Sequence, residues 1–392
     1  ADDLHDVFAW IDAHADEAIA DLQALVRQPS VSAQGVGLRE CATLVRDQMQ
    51  RDGLDAQLHE LDGGPPLVFG HMPSARSPKT MLCYSHYDVQ PAEPIDAWTH
   101  GGPWSAQIVD GVLYGRGATD NKSGVLAFNK AAKAFLATRG ELPVSLKFLI
   151  EGEEEIGSLH LGPWVERNPE LLAADGMHCL DGPVDIATDL PDVDLGLKSV
   201  LFVDLVVRGA NADVHSLNFP LLPAPAWDLV RALGTILDDD RRILIDGWYD
   251  GLYELNDEDE EQLRVKAERV DLDAMRKAWG IDAFAQGRDG VDAIRARTYE
   301  PTANIAGLVS GYTGPGSKTI VPNEARAKMD FRLVPNMDPF SAIDKLRAHL
   351  DAHGFEHVEI ESTERAEPPY KISVHEDMSQ AVLSAAERVY GE

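Results

Sequence analysis

The spacing of apolar positions changes style along the chain. Over residues 4–28, Phe8, Ile11, Ile19, Leu22 and Val26 recur at helical intervals and stop at Pro29. A second amphipathic stretch, 38–51, ends before Gly53. Short apolar runs bounded by turn residues follow at 80–84, 144–150 and 177–180 and predict strands. Between the first two, residues 122–138 have a helical period closed by Gly140 as a C′ residue. Runs that are apolar throughout, interleaved with helices, predict an α/β fold whose central sheet is mostly parallel and flanked by helices.

A second style begins near Lys198. Strands are predicted at 199–208, 303–310, 325–333 and 357–363, with helices at 224–237 and 339–353. Apart from a long acidic helical stretch at 257–279, this is β-α-β-β-α-β, the order of a ferredoxin-like unit. Residues 256–261 (Asn-Asp-Glu-Asp-Glu-Glu) are the solvated start of that acidic helix. Helical spacing resumes at Met378, after Pro368-Pro369. The predicted organisation is a catalytic domain of 1–197 plus 366–392, with a lid domain of 198–365 inserted.

Charge narrows the partners. The 392 residues carry 66 Asp and Glu against 35 Lys and Arg, a net charge of −31, which repels phosphate backbones and anionic lipid surfaces. No nucleic acid and no membrane is expected. Three separated cysteines (Cys41, Cys83, Cys179) fit a reducing compartment. The opening Ala1-Asp2-Asp3-Leu4-His5 lacks the basic and apolar regions of a signal peptide. A cytoplasmic protein is the expectation.

Three predicted strands each end in metal-capable side chains: 80–84 leads to Ser85-His86-Tyr87-Asp88, 144–150 to Glu151-Gly152-Glu153-Glu154-Glu155, and 177–180 to Asp181. Ligands of open α/β sheets bind outside the carboxyl ends of the strands, so these groups should converge. Asp120 follows Gly115-Arg116-Gly117 and precedes the 122–138 helix, which places a further carboxylate nearby. Each piece alone has an ordinary structural reading, a solvated acidic loop above all. Together they point to imidazole and carboxylate ligands for divalent metal, with a spare carboxylate as proton acceptor. A nucleophilic serine is disfavoured by the absence of Gly-x-Ser-x-Gly, and Cys83 lies within an apolar run.

The blocks Ser85-His86-Tyr87-Asp88-Val89-Gln90-Pro91, Gly115-Arg116-Gly117-Ala118-Thr119-Asp120-Asn121-Lys122 and Glu151-Gly152-Glu153-Glu154-Glu155-Ile156-Gly157-Ser158 resemble the carnosinase-like branch of the co-catalytic zinc peptidases, metallopeptidase family 20. The resemblance implies a zinc exopeptidase-like catalytic domain holding two Zn²⁺ per subunit, with Mn²⁺ or Co²⁺ as alternatives. By it, His86 binds one zinc and is oriented by Asp88, Asp120 bridges both ions, Glu155 binds the second and Asp181 joins His86. Glu154 is the general base that deprotonates a metal-bridged water. Asp213-Val214-His215-Ser216 resembles a lid motif whose histidine reaches the partner subunit's site, so a homodimer through the lid is implied. Thr319 and Arg332, in segments resembling substrate-carboxylate binders, are further candidates. The implied reaction is hydrolysis of the amide bond of a dipeptide or short peptide with a free carboxylate. The alternatives are an N-acyl-amino-acid deacylase or a non-catalytic homologue.

Two departures from the family pattern stand out. After Ser216 the chain reads Leu217-Asn218-Phe219-Pro220 where glycines are usual, and it ends before the family's Gly-rich substrate loop and the last ligand of the second zinc. The second departure predicts an incomplete record or, less favoured, an impaired second metal site.

Overall fold

The structure is a computed structural model in which residues 4–182, 184–185, 190–362 and 366–391 are described. It forms two compact units, one running to Val193 and resuming at Gln380, the other Asp194–Ser379.

The first unit opens with helices α1 (His5–Ala13) and α2 (Ala15–Arg27), a break in the single predicted helix. The break falls at His14, whose ring stacks on Trp10 and whose Nδ1 lies 2.7 Å from the Trp10 carbonyl. Helix α3 (Leu38–Arg51) follows, then strands β1 (Asp55–His59), β2 (Leu67–Met72) and β3 (Thr80–His86). Helix α4 (Lys122–Arg139) ends at Gly140, at φ 74°, where a left-handed residue was expected. Strands β4 (Ser145–Glu151) and β5 (Gly176–Cys179) complete a sheet of order β1-β2-β4-β3-β5.

The class is α/β, but the sheet is mixed rather than mostly parallel. Strand β3 runs parallel to β4 and β5, whereas β1, β2 and β4 pair antiparallel. The linker 60–66 is too short for a parallel crossover, which needs about a dozen residues, so β1 and β2 must reverse. Leu25, Val45, Met49, Val68, Phe148 and Ile150 form the core between sheet and helices. Each such side chain contributes roughly 1.5–3 kcal/mol on burial.

The second unit contains β6 (Ser199–Arg208), α5 (Pro225–Leu233), α6 (Asp257–Arg269), α7 (Leu272–Trp279), α8 (Gly290–Tyr299), β7 (Thr302–Ser310), β8 (Glu324–Leu333), α9 (Pro339–Ala352) and β9 (Glu359–Ser362). The sheet order is β7-β8-β6-β9, antiparallel throughout, as in a ferredoxin-like unit. Along β8, Ala325, Ala327, Met329, Phe331 and Leu333 are buried while Lys328 and Arg332 are exposed, the period-2 pattern of a sheet covered on one face. The predicted 257–279 helix is two, because Asp271 caps α7 by accepting from Ala274 N at 2.8 Å.

Residues 366–379, expected with the catalytic domain, belong to the second unit instead. Tyr370–Lys371 pairs with Gly196–Leu197, Lys371 Nζ lies 2.8 Å from Asp259 Oδ1, and Glu258 accepts from Val374 N at 2.7 Å. The last helix, α10 (Asp377–Tyr390), crosses the boundary between the units. Among the described residues, no helix is long and apolar enough to cross a membrane.

Candidate metal centre

The parallel half of the sheet gathers the candidate ligands. His86 ends β3 opposite Glu151 of β4, and Tyr84 stands opposite Cys179 of β5, so continuing that register brings Asp181 beside His86. His86 is fully buried. Its Nε2 faces Asp120 Oδ1 at 3.1 Å, Asp181 Oδ2 at 3.5 Å and Glu154 Oε2 at 3.8 Å. That nitrogen has no hydrogen-bond partner of acceptable geometry. His86, Glu154 and Asp181 offer ligand atoms within 4.8 Å of one another, the one such group of three among the described residues.

Asp88, also buried, has two tasks. His86 Nδ1 lies 3.1 Å from the Asp88 carbonyl oxygen and 3.2 Å from Asp88 Oδ1, which orients the ring and turns Nε2 toward the other carboxylates. The two Asp88 carboxylate oxygens also accept from Glu154 N and Glu155 N, both at 3.2 Å, tying the acidic turn to the imidazole. Asp120 stands immediately before α4, joined to the capping residue Asn121 by a cis peptide, with its side chain 64% exposed. Buried Asn121 is fixed by a 2.9 Å bond from Ser85 Oγ.

The adjacent glutamates diverge. Glu154 points toward His86, whereas Glu155 is turned to Gln90, accepting from Gln90 N at 3.2 Å and Nε2 at 3.0 Å. Gln90 was not marked from the sequence, although it stands within the Ser85–Pro91 block. The turn itself requires glycine at 152, where a β-carbon would come within 2.3 Å of the buried Tyr87 ring.

Electrostatically the carboxylates at the site outnumber the one group that can carry positive charge, His86. Burial alone would lower the His86 pKa, but the carboxylates of Asp181 and Asp88 outweigh it and push it up to about 11. Burial, reinforced by the carboxylates of Asp181, Glu155 and Asp88 against the pull of His86, pushes Glu154 up to about 7. Glu155 is also raised, by burial and then by Asp120. Asp181 is lowered by its contact with His86. A buried imidazole with an unpartnered nitrogen, and with four carboxylates within 3.8 Å of its ring nitrogens, is a donor set that fits a divalent cation.

The pattern of Peptidase family M20/M25/M40 matches residues 82–392. The chain belongs to this family. M20 peptidases are metal-dependent hydrolases, and the chain is an enzyme of that kind. It is 32% identical over 367 residues to human Beta-Ala-His dipeptidase, covering 89% of this chain and 71% of the relative. It is 30% identical over 365 residues to the Cys-Gly metallodipeptidase dug1 of Schizosaccharomyces pombe, covering 88% and 75%. Among solved structures, the M20 family metallo-carboxypeptidase Sso-CP2 of Sulfolobus solfataricus matches with TM-score 0.87 and 37% identity, over 96% of this chain and 84% of that one.

The remaining candidates lie in the second unit. Val214–His215 pairs with Ile320–Val321, which brings His215 Nε2 to 3.4 Å from Thr319 Oγ1. His215 Nδ1 accepts from Leu217 N at 3.1 Å, so the neutral ring carries its hydrogen on Nε2. Arg332 lies on the exposed face of β8, across from Thr302 and Val200.

Proposed function

We propose that the protein is a dipeptidase acting on small substrates with a free carboxylate, and that it uses two zinc ions. The observation that carries this reading is His86 Nε2, buried without a hydrogen-bond partner and faced by Asp120, Asp181 and Glu154. His86, Asp120, Glu155 and Asp181 would hold the metal. When bound, the metal supplies Lewis acidity toward water and the scissile carbonyl.

The chain's own groups supply the rest. Glu154, with a pKa near neutrality, suits transfer of a proton from the attacking water to the leaving amine. Asp88 keeps the His86 ring oriented and the Glu154 amide in place. His215, with hydrogen on Nε2, is equipped to donate to a developing oxyanion, from a partner subunit in the homodimer we infer. Arg332 suits the substrate carboxylate because a guanidinium binds carboxylate bidentately.

A panel of dipeptides against N-acyl amino acids, run on wild type and Glu154→Gln, tests the reading. Dipeptides should be cleaved faster, and the variant should lose turnover at unchanged metal content. Faster cleavage of the acyl substrates, or undiminished turnover in the variant, contradicts it.

A further inference from the structure

The turn bearing Glu154 and Glu155 is flanked by two further glutamates, Glu151 and Glu153, whose carboxylates are held by other side chains. Glu151 accepts from Tyr84 Oη at 2.5 Å and from Ser158 Oγ at 2.8 Å. The Glu153 side chain, only 8% exposed, accepts from His160 N at 3.1 Å and stands 2.8 and 3.0 Å from His160 Nδ1 through its two oxygens. Neither Glu153 nor His160 belongs to the group around His86.

Two features show why the turn needs such anchors. Ser158 sits at φ 52°, a left-handed conformation that costs a non-glycine residue of order 1–3 kcal/mol. The bonds from Glu154 N and Glu155 N to Asp88, at 3.2 Å, lie at the long limit for N–H···O and are weak on their own. Further bonds close the turn: backbone bonds run from Ser158 N and Ile156 N to Glu153 O, at 2.8 and 3.1 Å, and from Gly157 N to Glu154 O at 2.9 Å, and Gln90 Nε2 donates to Glu155 O at 2.9 Å.

His160 is itself braced. It lies over the β1–β2 connection, where a β-carbon on Gly64 would come within 2.8 Å of its Cβ. A line of contacts therefore runs from Gly64 through His160 to Glu153, the residue preceding Glu154. We propose that Glu153 and His160 form a latch that holds the Glu154–Glu155 turn in register, and that both are positioning residues for hydrolysis. The proposal rests on the dipeptidase reading only for what the latch serves; the latch itself is a property of the metal-free chain.

The test combines amide hydrogen exchange at Glu154 and Glu155 in chelated protein with kcat, KM and bound metal in the loaded enzyme. The variants are His160→Ala, His160→Asn, which places an N–H donor where Nδ1 stands, and Gly64→Ala, which displaces the ring. His160→Ala should speed exchange at both amides about tenfold and lower kcat roughly 10- to 100-fold, with KM and metal content nearly unchanged. His160→Asn should restore both to within about threefold, and Gly64→Ala should shift both in the same direction as His160→Ala. Exchange within about twofold of wild type in His160→Ala, or His160→Asn as impaired as His160→Ala, overturns the latch. Should His160→Ala fail to fold, Gly64→Ala decides by the same exchange criterion. Exchange needs neither metal nor substrate, so a wild-type chain that cleaved no dipeptide would defeat the functional reading and leave this result standing.

Discussion

Two clusters of acidic side chains in the first unit are neutralised in opposite ways. In one, Glu17, Asp21 and Asp52 meet Arg51, Lys130 and Lys133. Lys130 Nζ lies 2.5 Å from Asp21 Oδ2 and 2.6 Å from Asp52 Oδ2, Lys133 Nζ lies 2.9 Å from Asp52 Oδ1, and Arg51 Nη2 lies 2.5 Å from Asp21. The Asp52 side chain is fully buried, yet its pKa is lowered, because those cations outweigh the burial that would raise it. In the other, Asp88, Asp120, Glu154 and Asp181 surround one imidazole, and Glu155 adjoins Glu154 with its carboxylate on Gln90. Among the described residues, no Lys or Arg forms an ion pair with any of the five. The first cluster is complete within the chain and holds α2, α3 and α4 together. The second has its charges arranged for a cation the chain does not provide. Acidity alone therefore does not mark a metal site; unbalanced, converging acidity does.

The contrast can be broken at either end. The largest effect should come from Glu154→Gln, with kcat reduced about 10²- to 10⁴-fold and metal retained, checked by steady-state kinetics beside elemental analysis. Asp52→Ala should do the reverse. Each of the three cations loses one partner but keeps Asp21 or Glu17, so the variant should lose about 1–3 kcal/mol in denaturant unfolding, while metal affinity stays at the wild-type value. An Asp52 variant that loses metal without losing stability would erase the distinction.

Smaller effects sharpen it. The folded Glu154 pKa, about 7, lies above the ordinary 4.5, so its ionised form is penalised by folding. The penalty is absent below pH 4.5, grows as pH rises to about 7 and is constant above. Glu154→Gln should therefore be more stable than wild type in chelator at pH 8 by about 1 kcal/mol, a figure discounted for the partial exposure of the carboxylate, and equal to it at pH 4. Metal must also displace the proton that Asp181 and Asp88 hold on His86. Apparent affinity should then rise about tenfold per pH unit near neutrality, and titrations in buffers of different ionisation enthalpy should register the released proton.

The part of this legible in the sequence was the part fixed by strand ends. His86, the acidic turn and Asp181 each close an apolar run, and the rule that parallel strands present their carboxyl ends to a common crevice brings them together. The ferredoxin-like unit was legible because Ser199–Arg208 and Glu324–Leu333 are long and alternate or stay apolar over their length. Strands β1 and β2 were not: Asp55–His59 has few apolar residues, and pairing direction is set by the linker rather than by composition. Side-chain direction was equally hidden. Nothing in a run of adjacent glutamates says that Glu151 and Glu153 turn inward to Tyr84 and His160, that Glu155 leans on Gln90, or that Glu154 faces His86. Those assignments depend on contacts with residues scattered across the unit.

The most direct test of the central claim is anomalous diffraction from crystals of the protein grown with Zn²⁺. The account predicts a peak within bonding distance of His86 Nε2, with carboxylate oxygens of Asp120 and Asp181 completing its shell, and no peak beside Asp21 and Asp52. A crystal with His86 Nε2 unligated at saturating zinc, or with zinc bound at Asp21 and Asp52 instead, would contradict it.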